Sequence, residues 1–205
     1  NTIWMEPLTN RQATTITTAW NKLHDIFVHR HSAPKLCVLD NEISHKFKPA
    51  LKKAKVEYQL VPANVHWRNA TERAIWTYKN HLLAGLATYD PDYPVAEWDR
   101  LIDQSLITLN LLCSSRLNPK FSVYGTLFGN YDFNKHPMLP PGTKVVVHEK
   151  PKNRASWYFH GKDGWHISPS LEHYQCVKFY MPIARAVKDA NTIIFSLKNF
   201  VRRIA

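Results

Sequence analysis

Apolar positions in this chain recur with a helical period in its first half and with a strand-like period near its end. Ala13, Ile16, Trp20, Leu23 and Phe27 fall at three- and four-residue steps, one face of a helix that Asn10 or Thr9 is placed to cap. Thr2 to Leu8 before it reads as a strand, and the apolar run in Lys35–Leu39 after it reads as a buried strand. A short basic helix, roughly Pro49 to Lys55, leads to a strand at Glu57–Val61. A second long helix runs from Asn69 to about Thr88. Tyr93-Pro94 opens a third, with Trp98, Leu101, Ile102, Leu106 and Leu109 as its apolar stripe. This alternation over residues 1–112 predicts an α/β layer with helices packed on a sheet.

Residues 113–141 change character. Asn118-Pro119, Gly125, Gly129, Asn130, Pro137 and Pro140-Pro141-Gly142 punctuate them, which predicts a linker with local packing. Residues 142–200 then offer five short strands at Lys144–His148, Ser156–His160, Trp165–Ser168, Tyr174–Tyr180 and Thr192–Phe195. Gly161-Lys162-Asp163-Gly164 is the expected turn between the second and third. Close spacing with turn signals predicts a small all-β barrel.

Charge narrows the partners. The 205 residues carry a net +11, which favours nucleic acid or another anionic surface over a neutral metabolite. Residues 139–205 hold 11 Lys+Arg against 4 Asp+Glu, while residues 1–138 hold 16 against 12, so the tail is the more basic part. Cys37, Cys113 and Cys176 are scattered and odd in number, which argues against a disulfide framework. His173 and Cys176 could share a metal, but two ligands do not make a zinc site. The longest apolar stretch, Leu106 to Cys113, is broken by Thr108 and Asn110 and is far short of the ~20 residues a membrane span needs.

Two acids stand out. Asp40 follows Leu36-Cys37-Val38-Leu39, and the carboxyl end of a strand is where ligands gather in open α/β sheets. Glu72 opens the second long helix. Carboxylates delivered by two elements suit hard divalent cations such as Mg²⁺ or Mn²⁺. Each also has a local role to play: Asp40 can close a turn, and Glu72 lies three residues after Asn69, the spacing of a capping box.

Leu39-Asp40-Asn41-Glu42, Phe47, and Val61-Pro62 through Asn69-Ala70-Thr71-Glu72-Arg73 resemble the second half of a retroviral-type integrase core, the DDE family with a ribonuclease-H-like fold. The 31 residues between Asp40 and Glu72 are similar to that family's interval. Leu127-Phe128-Gly129, Pro140-Pro141-Gly142 and His173-Tyr174 are similar to the segment between catalytic core and reverse transcriptase in copia-type long-terminal-repeat retrotransposon polyproteins. Glu42 and Ala70 stand where the family carries glycine. The family's first catalytic Asp has no counterpart and is expected ahead of Asn1. The chain is thus expected to be cut from a longer polyprotein, without the family's amino-terminal zinc module.

The resemblance implies a ribonuclease-H-like core lacking its first strand (residues 1–112) and a five-stranded barrel of the Src-homology type. It implies 3′-end processing and strand transfer of element DNA by two-metal phosphoryl transfer, with Asp40 and Glu72 as catalytic metal ligands. A fragment with two of three carboxylates is expected to be inactive alone. The implied setting is a homo-oligomer of the full-length protein, in a host nucleus or cytoplasmic particle, acting on element ends and target DNA. Asn69, Arg73 and Lys79 are the expected DNA contacts near the acids. Lys79 lies about 10 Å along the helix from Glu72 at 1.5 Å rise per residue, on nearly the same face as Trp76 and Leu83. Trp76 is expected in the core, and a solvated side chain is the lesser reading of Lys79.

In the tail, Lys144, Lys150, Lys152 and Arg154, with Lys162 and Arg185, are the expected backbone contacts. Trp157 or Trp165 is expected in the barrel's own core. Lys46, Lys48, Lys52, Lys53 and Lys55 form a second basic cluster, equally readable as a solvated helix face. Three rival readings stand beside the integrase: a non-catalytic nucleic-acid-binding relic of a retroelement, a different ribonuclease-H-like nuclease, and a protein-interaction barrel with an inert α/β domain.

Overall fold

The three- and four-residue apolar spacing after Gln12 is realised as helix α1 (Ala13–His29) in a computed structural model that describes residues 1–39, 44–45, 47–62, 70–148, 156–157 and 160–195. No side chain caps α1. Asn10 instead uses its Oδ1 to accept from the Gln12 N–H and the Thr15 hydroxyl. Strand β1 (Leu36–Leu39), helix α2 (Phe47–Lys53) and strand β2 (Glu57–Leu60) follow. β1 and β2 pair in parallel, Leu36 opposite Glu57 through Leu39 opposite Leu60.

All four residues of β2 are exposed, while one face of β1 is covered. Phe47, Leu51 and Val56 are buried there with Trp20, Cys37 and Leu39 packed against them, each buried apolar side chain contributing about 1.5–3 kcal/mol. The other face is bare: Leu36 and Val38 are 44% and 51% exposed. The buried strand expected at Lys35–Leu39 is therefore a half-covered one, since no described helix lies across its second face.

Thr2–Leu8 is not a strand. Among the described residues it has no strand to pair with, and Asn110 supplies what a neighbouring strand would. The Asn110 Oδ1 accepts from Ile3 N–H at 3.1 Å, and its Nδ2 donates to Ile3 C=O at 2.8 Å. Ile3 and Met5 thereby pack on the seam between helices α3 (Ala70–Leu86) and α4 (Ile102–Leu112), whose core is Tyr78, Ile102, Leu106 and Leu109.

The third long helix is divided. Val95–Leu101 forms a 3-10 segment with non-helical backbone at Glu97, and α4 starts only at Ile102. Of its expected stripe, Trp98 is 46% exposed while the other four side chains are buried. The expected linker carries helix α5 (Val123–Phe128), started by Ser122, whose Oγ accepts from Gly125 N–H at 2.9 Å. α5 packs on α4, and Phe128 meets Trp4 at 5.7 Å between ring centroids.

The rest is a five-stranded antiparallel sheet in the order β6-β5-β4-β3-β7: β3 (Lys144–His148), β4 (Gly161–Pro169), β5 (Val177–Met181), β6 (Ala186–Ala190) and β7 (Ile193–Phe195). Three expectations are corrected here. Gly161–Gly164 is the opening of β4, not a turn. Ser156 and Trp157 sit in a turn, with Tyr158 and Phe159 outside the described residues. β6 was not expected; it follows a turn in which Arg185 takes a left-handed φ of 47°.

Val145, Val147, Phe179 and Met181 form the core of one sheet face. The other face joins the helices through Tyr89, Tyr93, Leu101, Ile167 and Tyr180. A polar strut reinforces that junction: Glu97 accepts from Arg100 and from the Tyr180 hydroxyl, and the Arg100 guanidinium lies 4.6 Å from the Tyr180 ring centroid. The Arg100 hydrogen bond holds the Glu97 carboxyl below its ordinary range.

Candidate functional site

The two strands that precede the candidate acids pair in parallel. β1 and β2 run the same way, and the ladder continues past their ends where Val61 N–H donates to Leu39 C=O at 2.9 Å. The chain thus leaves both strands from one edge of the sheet, with Asp40 next after β1. Asp40 and Asn69 lie outside the described residues. Glu72 is exposed in the first turn of α3, where a carboxylate also complements the positive end of the helix dipole.

The α3 helix presents two unlike faces. Tyr78 is 3% exposed and exchanges a 2.8 Å hydrogen bond with Ser105 Oγ, while His81 Nε2 meets Thr108 Oγ1 at 2.9 Å. This side is held against α4. Glu72, Trp76, Lys79 and Leu83, at steps of four, three and four, lie on the opposite side and are all exposed, as is Arg73. The stripe therefore sits where the helical period puts it. Trp76 departs from the expected core position, because it is 69% exposed on the side turned away from α4.

The sheet carries the second group of candidates. Lys144 Nζ lies 3.9 Å from Asp163 Oδ2, a loose pair across β3 and β4 that leaves the ammonium half-exposed. Lys162 and Arg185 are exposed; Lys150, Lys152 and Arg154 lie outside the described residues. Trp165 packs into the cluster joining helices and sheet, as expected, whereas Trp157 is 98% exposed. A cavity of about 680 Å³ opens over Phe179 and Met181, with Lys162, Lys188, His148 and His173 around it. Lys188 escaped the sequence because β6, Ala186-Val187-Lys188-Asp189-Ala190, shows no period-two alternation of apolar and polar residues. Cys176 lines the same cavity as His173, yet among the described residues no three His, Cys, Asp or Glu side chains are grouped to hold a metal. Among the described residues, too, no helix is long and apolar enough to cross a membrane.

In the second basic cluster, Lys52, Lys53 and Lys55 are exposed, and Lys48 Nζ lies 5.9 Å from the Tyr58 ring centroid; Lys46 is outside the described residues. Exposed cations thus lie on α2, α3 and the sheet.

No protein-family model matches the chain, and no curated protein matches it. Among solved structures it is similar to a chain of the cryo-EM structure of the simian T-cell lymphotropic virus intasome in complex with PP2A regulatory subunit B56 gamma. The two are 12% identical, with a TM-score of 0.42 over 92% of this chain and 67% of the other. The likeness is weak.

Proposed function

We propose that this chain serves DNA integration by metal-dependent phosphoryl transfer, as part of an integrase like those of copia-type retrotransposons. The observation that carries the reading is the parallel β1–β2 pair, with Asp40 directly after β1 and Glu72 exposed in the first turn of the helix that follows β2. The resemblance of the surrounding residues gives those two acids their roles. In the same reading the helical part belongs to a ribonuclease-H-like core (residues 1–112), residues 113–141 link it onward, and residues 142–200 are a Src-homology-type barrel that holds DNA.

Asp40 and Glu72 offer hard carboxylate oxygens, the donor type that Mg²⁺ and Mn²⁺ prefer, and would be their ligands. Such ions, when bound, activate a water or DNA 3′-hydroxyl and stabilise the leaving oxygen. The chain's own cations do the holding: Lys79 and Arg73, on or beside the exposed face of α3, bind phosphates near the acids together with Asn69. Lys144, Lys150, Lys152 and Arg154 bind the backbone farther out. Two of the family's three carboxylates are matched, so residues 1–205 alone are expected to transfer no strand. The parent would work as a homo-oligomer within a retroelement particle or host nucleus.

Calorimetric titration of Mn²⁺ into the chain tests this. Asp40→Asn and Glu72→Gln should each weaken binding at least about tenfold, in proteins whose cooperative thermal unfolding shows that they remain folded. Equal Mn²⁺ binding by all three proteins would sink the assignment. A chain that binds duplex DNA but no Mn²⁺ would be the non-catalytic relic instead.

A further inference from the structure

A second cavity, of about 520 Å³, lies where the amino-terminal segment, the end of α1, α4, α5 and the β4–β5 connection meet. That size suits a small ligand, for which sites run roughly 300–1,000 Å³. One wall is aromatic. Phe128 stands 4.9 Å from Tyr124 and 5.7 Å from Trp4 between ring centroids, and the Arg30 guanidinium lies 5.0 Å from the Phe128 centroid. Lys135 and Lys178 line the same space. Among the described residues none of these three cations forms a salt bridge, although two carboxylates, Asp103 and Glu172, also border the cavity. Leu106 and Ile107, both under 10% exposed, supply apolar lining.

This mixture selects among ligands. A simple anion would satisfy the cations but be repelled by the acids and leave the rings unused. An apolar molecule would leave the five charged side chains around the cavity, four of them exposed, without a partner in the ligand. A ligand that answers every wall needs a flat ring, an anionic group and a hydrogen-bond donor for a carboxylate. Rings stack on aromatic side chains, phosphate takes Arg and Lys, and a carboxylate accepts from a base amino group.

We propose that this cavity binds a nucleotide whose base carries an exocyclic amino group. The base lies on the Phe128, Tyr124 and Trp4 wall, the phosphate meets Arg30, Lys135 and Lys178, and the amine donates to Asp103 or Glu172. Nothing in the site uses Asp40 or Glu72, so it stands or falls apart from the integration reading. Its occupant can be a free mononucleotide or an unpaired nucleotide within a single strand.

Isothermal titration of the 205-residue chain with AMP, UMP, adenosine, inorganic phosphate and a short oligo-deoxyadenylate tests the proposal. AMP should bind about tenfold tighter than UMP, which lacks the amine, and than adenosine, which lacks the phosphate. Lys135→Met with Lys178→Met should weaken AMP about tenfold and leave adenosine unchanged. Both lysines reach solvent, so the fold should tolerate the pair; Asp103→Asn, which should narrow the AMP-to-UMP ratio, is the independent second variant. If the oligonucleotide displaces AMP, the occupant is a nucleotide of a strand; if it does not, the occupant is free. Equal affinity for AMP and UMP, an AMP affinity indifferent to the lysine pair, or no AMP binding at ~1 mM would overturn the proposal.

Discussion

Acid should weaken this fold through one imidazole. His166 in β4 is fully buried; its Nδ1 lies 3.3 Å from Pro140 C=O, and a carbonyl can only accept, so Nδ1 carries the proton. Nε2 is buried with no hydrogen-bond partner among the described residues. Protonating it would place an unpaired N–H and a charge in dry surroundings. Burial accordingly pushes the His166 pKa down from 6.5 to about 4, against the opposing pull of hydrogen bonds to Pro140 and Ser168.

The unfolded chain takes up this proton near pH 6.5 and the folded chain only near pH 4. Stability from this group is therefore complete above pH 6.5 and is lost as pH falls toward 4. The gap corresponds to about 3 kcal/mol, or roughly 1.4 kcal/mol per pH unit inside the window. His81 is also lowered by burial and titrates in the same sense, so the comparison must isolate one residue. Urea unfolding of the wild type and of His166→Gln, whose amide can still donate to Pro140, should be followed between pH 7.5 and 4. The variant should lose less stability over that range, by an amount approaching 3 kcal/mol. Parallel curves, or an NMR titration of the His166 ring with a midpoint above 6, would refute the reasoning.

Other expectations follow from single contacts. Leu101→Ala, at a fully buried position shared by helices and sheet, should cost about 2–5 kcal/mol in denaturant unfolding. Gly142→Ala should cost at least about 1–3 kcal/mol, because Gly142 has φ +67° and an added Cβ would stand 2.8 Å from Tyr89 Cγ; a stability equal to wild type would contradict the packing described. Lys79→Ala should lower duplex-DNA affinity and reduce the salt slope, log affinity against log salt, by about 0.9, measured by fluorescence anisotropy at several salt concentrations. An unchanged slope would return Lys79 to the solvated surface.

The order of helices and strands was readable because burial on one side imposes a period. α1, α2, α3 and β3 lie close to where that period puts them. The failures have separate causes. Thr2–Leu8 has strand-like composition, but a strand needs a partner ladder, and here a helix side chain takes its backbone groups. Gly164 looked like turn chemistry, yet a Cβ there would meet Tyr180 carbonyl oxygen at 2.8 Å, so the glycine serves close packing within β4. β6 places its two polar residues side by side, so it shows no alternation. Trp76 looked like core because its size favours burial, and nothing in the sequence says that its side of α3 faces away from α4. Of the candidate site, Glu72, Arg73, Lys79 and Lys144 can be located among the described residues. Arg30, Lys135 and Lys178 could not be foreseen as neighbours, being distant in sequence and joined only by the meeting of helices and sheet.

The seam of Tyr89, Tyr93, Leu101, Ile167 and Tyr180 has a practical consequence for anyone dividing the molecule. Severing the gene between residues 141 and 142 would give two products, each with a raw aromatic flank that the intact chain keeps dry. Such halves should self-associate or precipitate when expressed separately, and mixing them should restore solubility. The gene is better trimmed at its ends than cut through the middle.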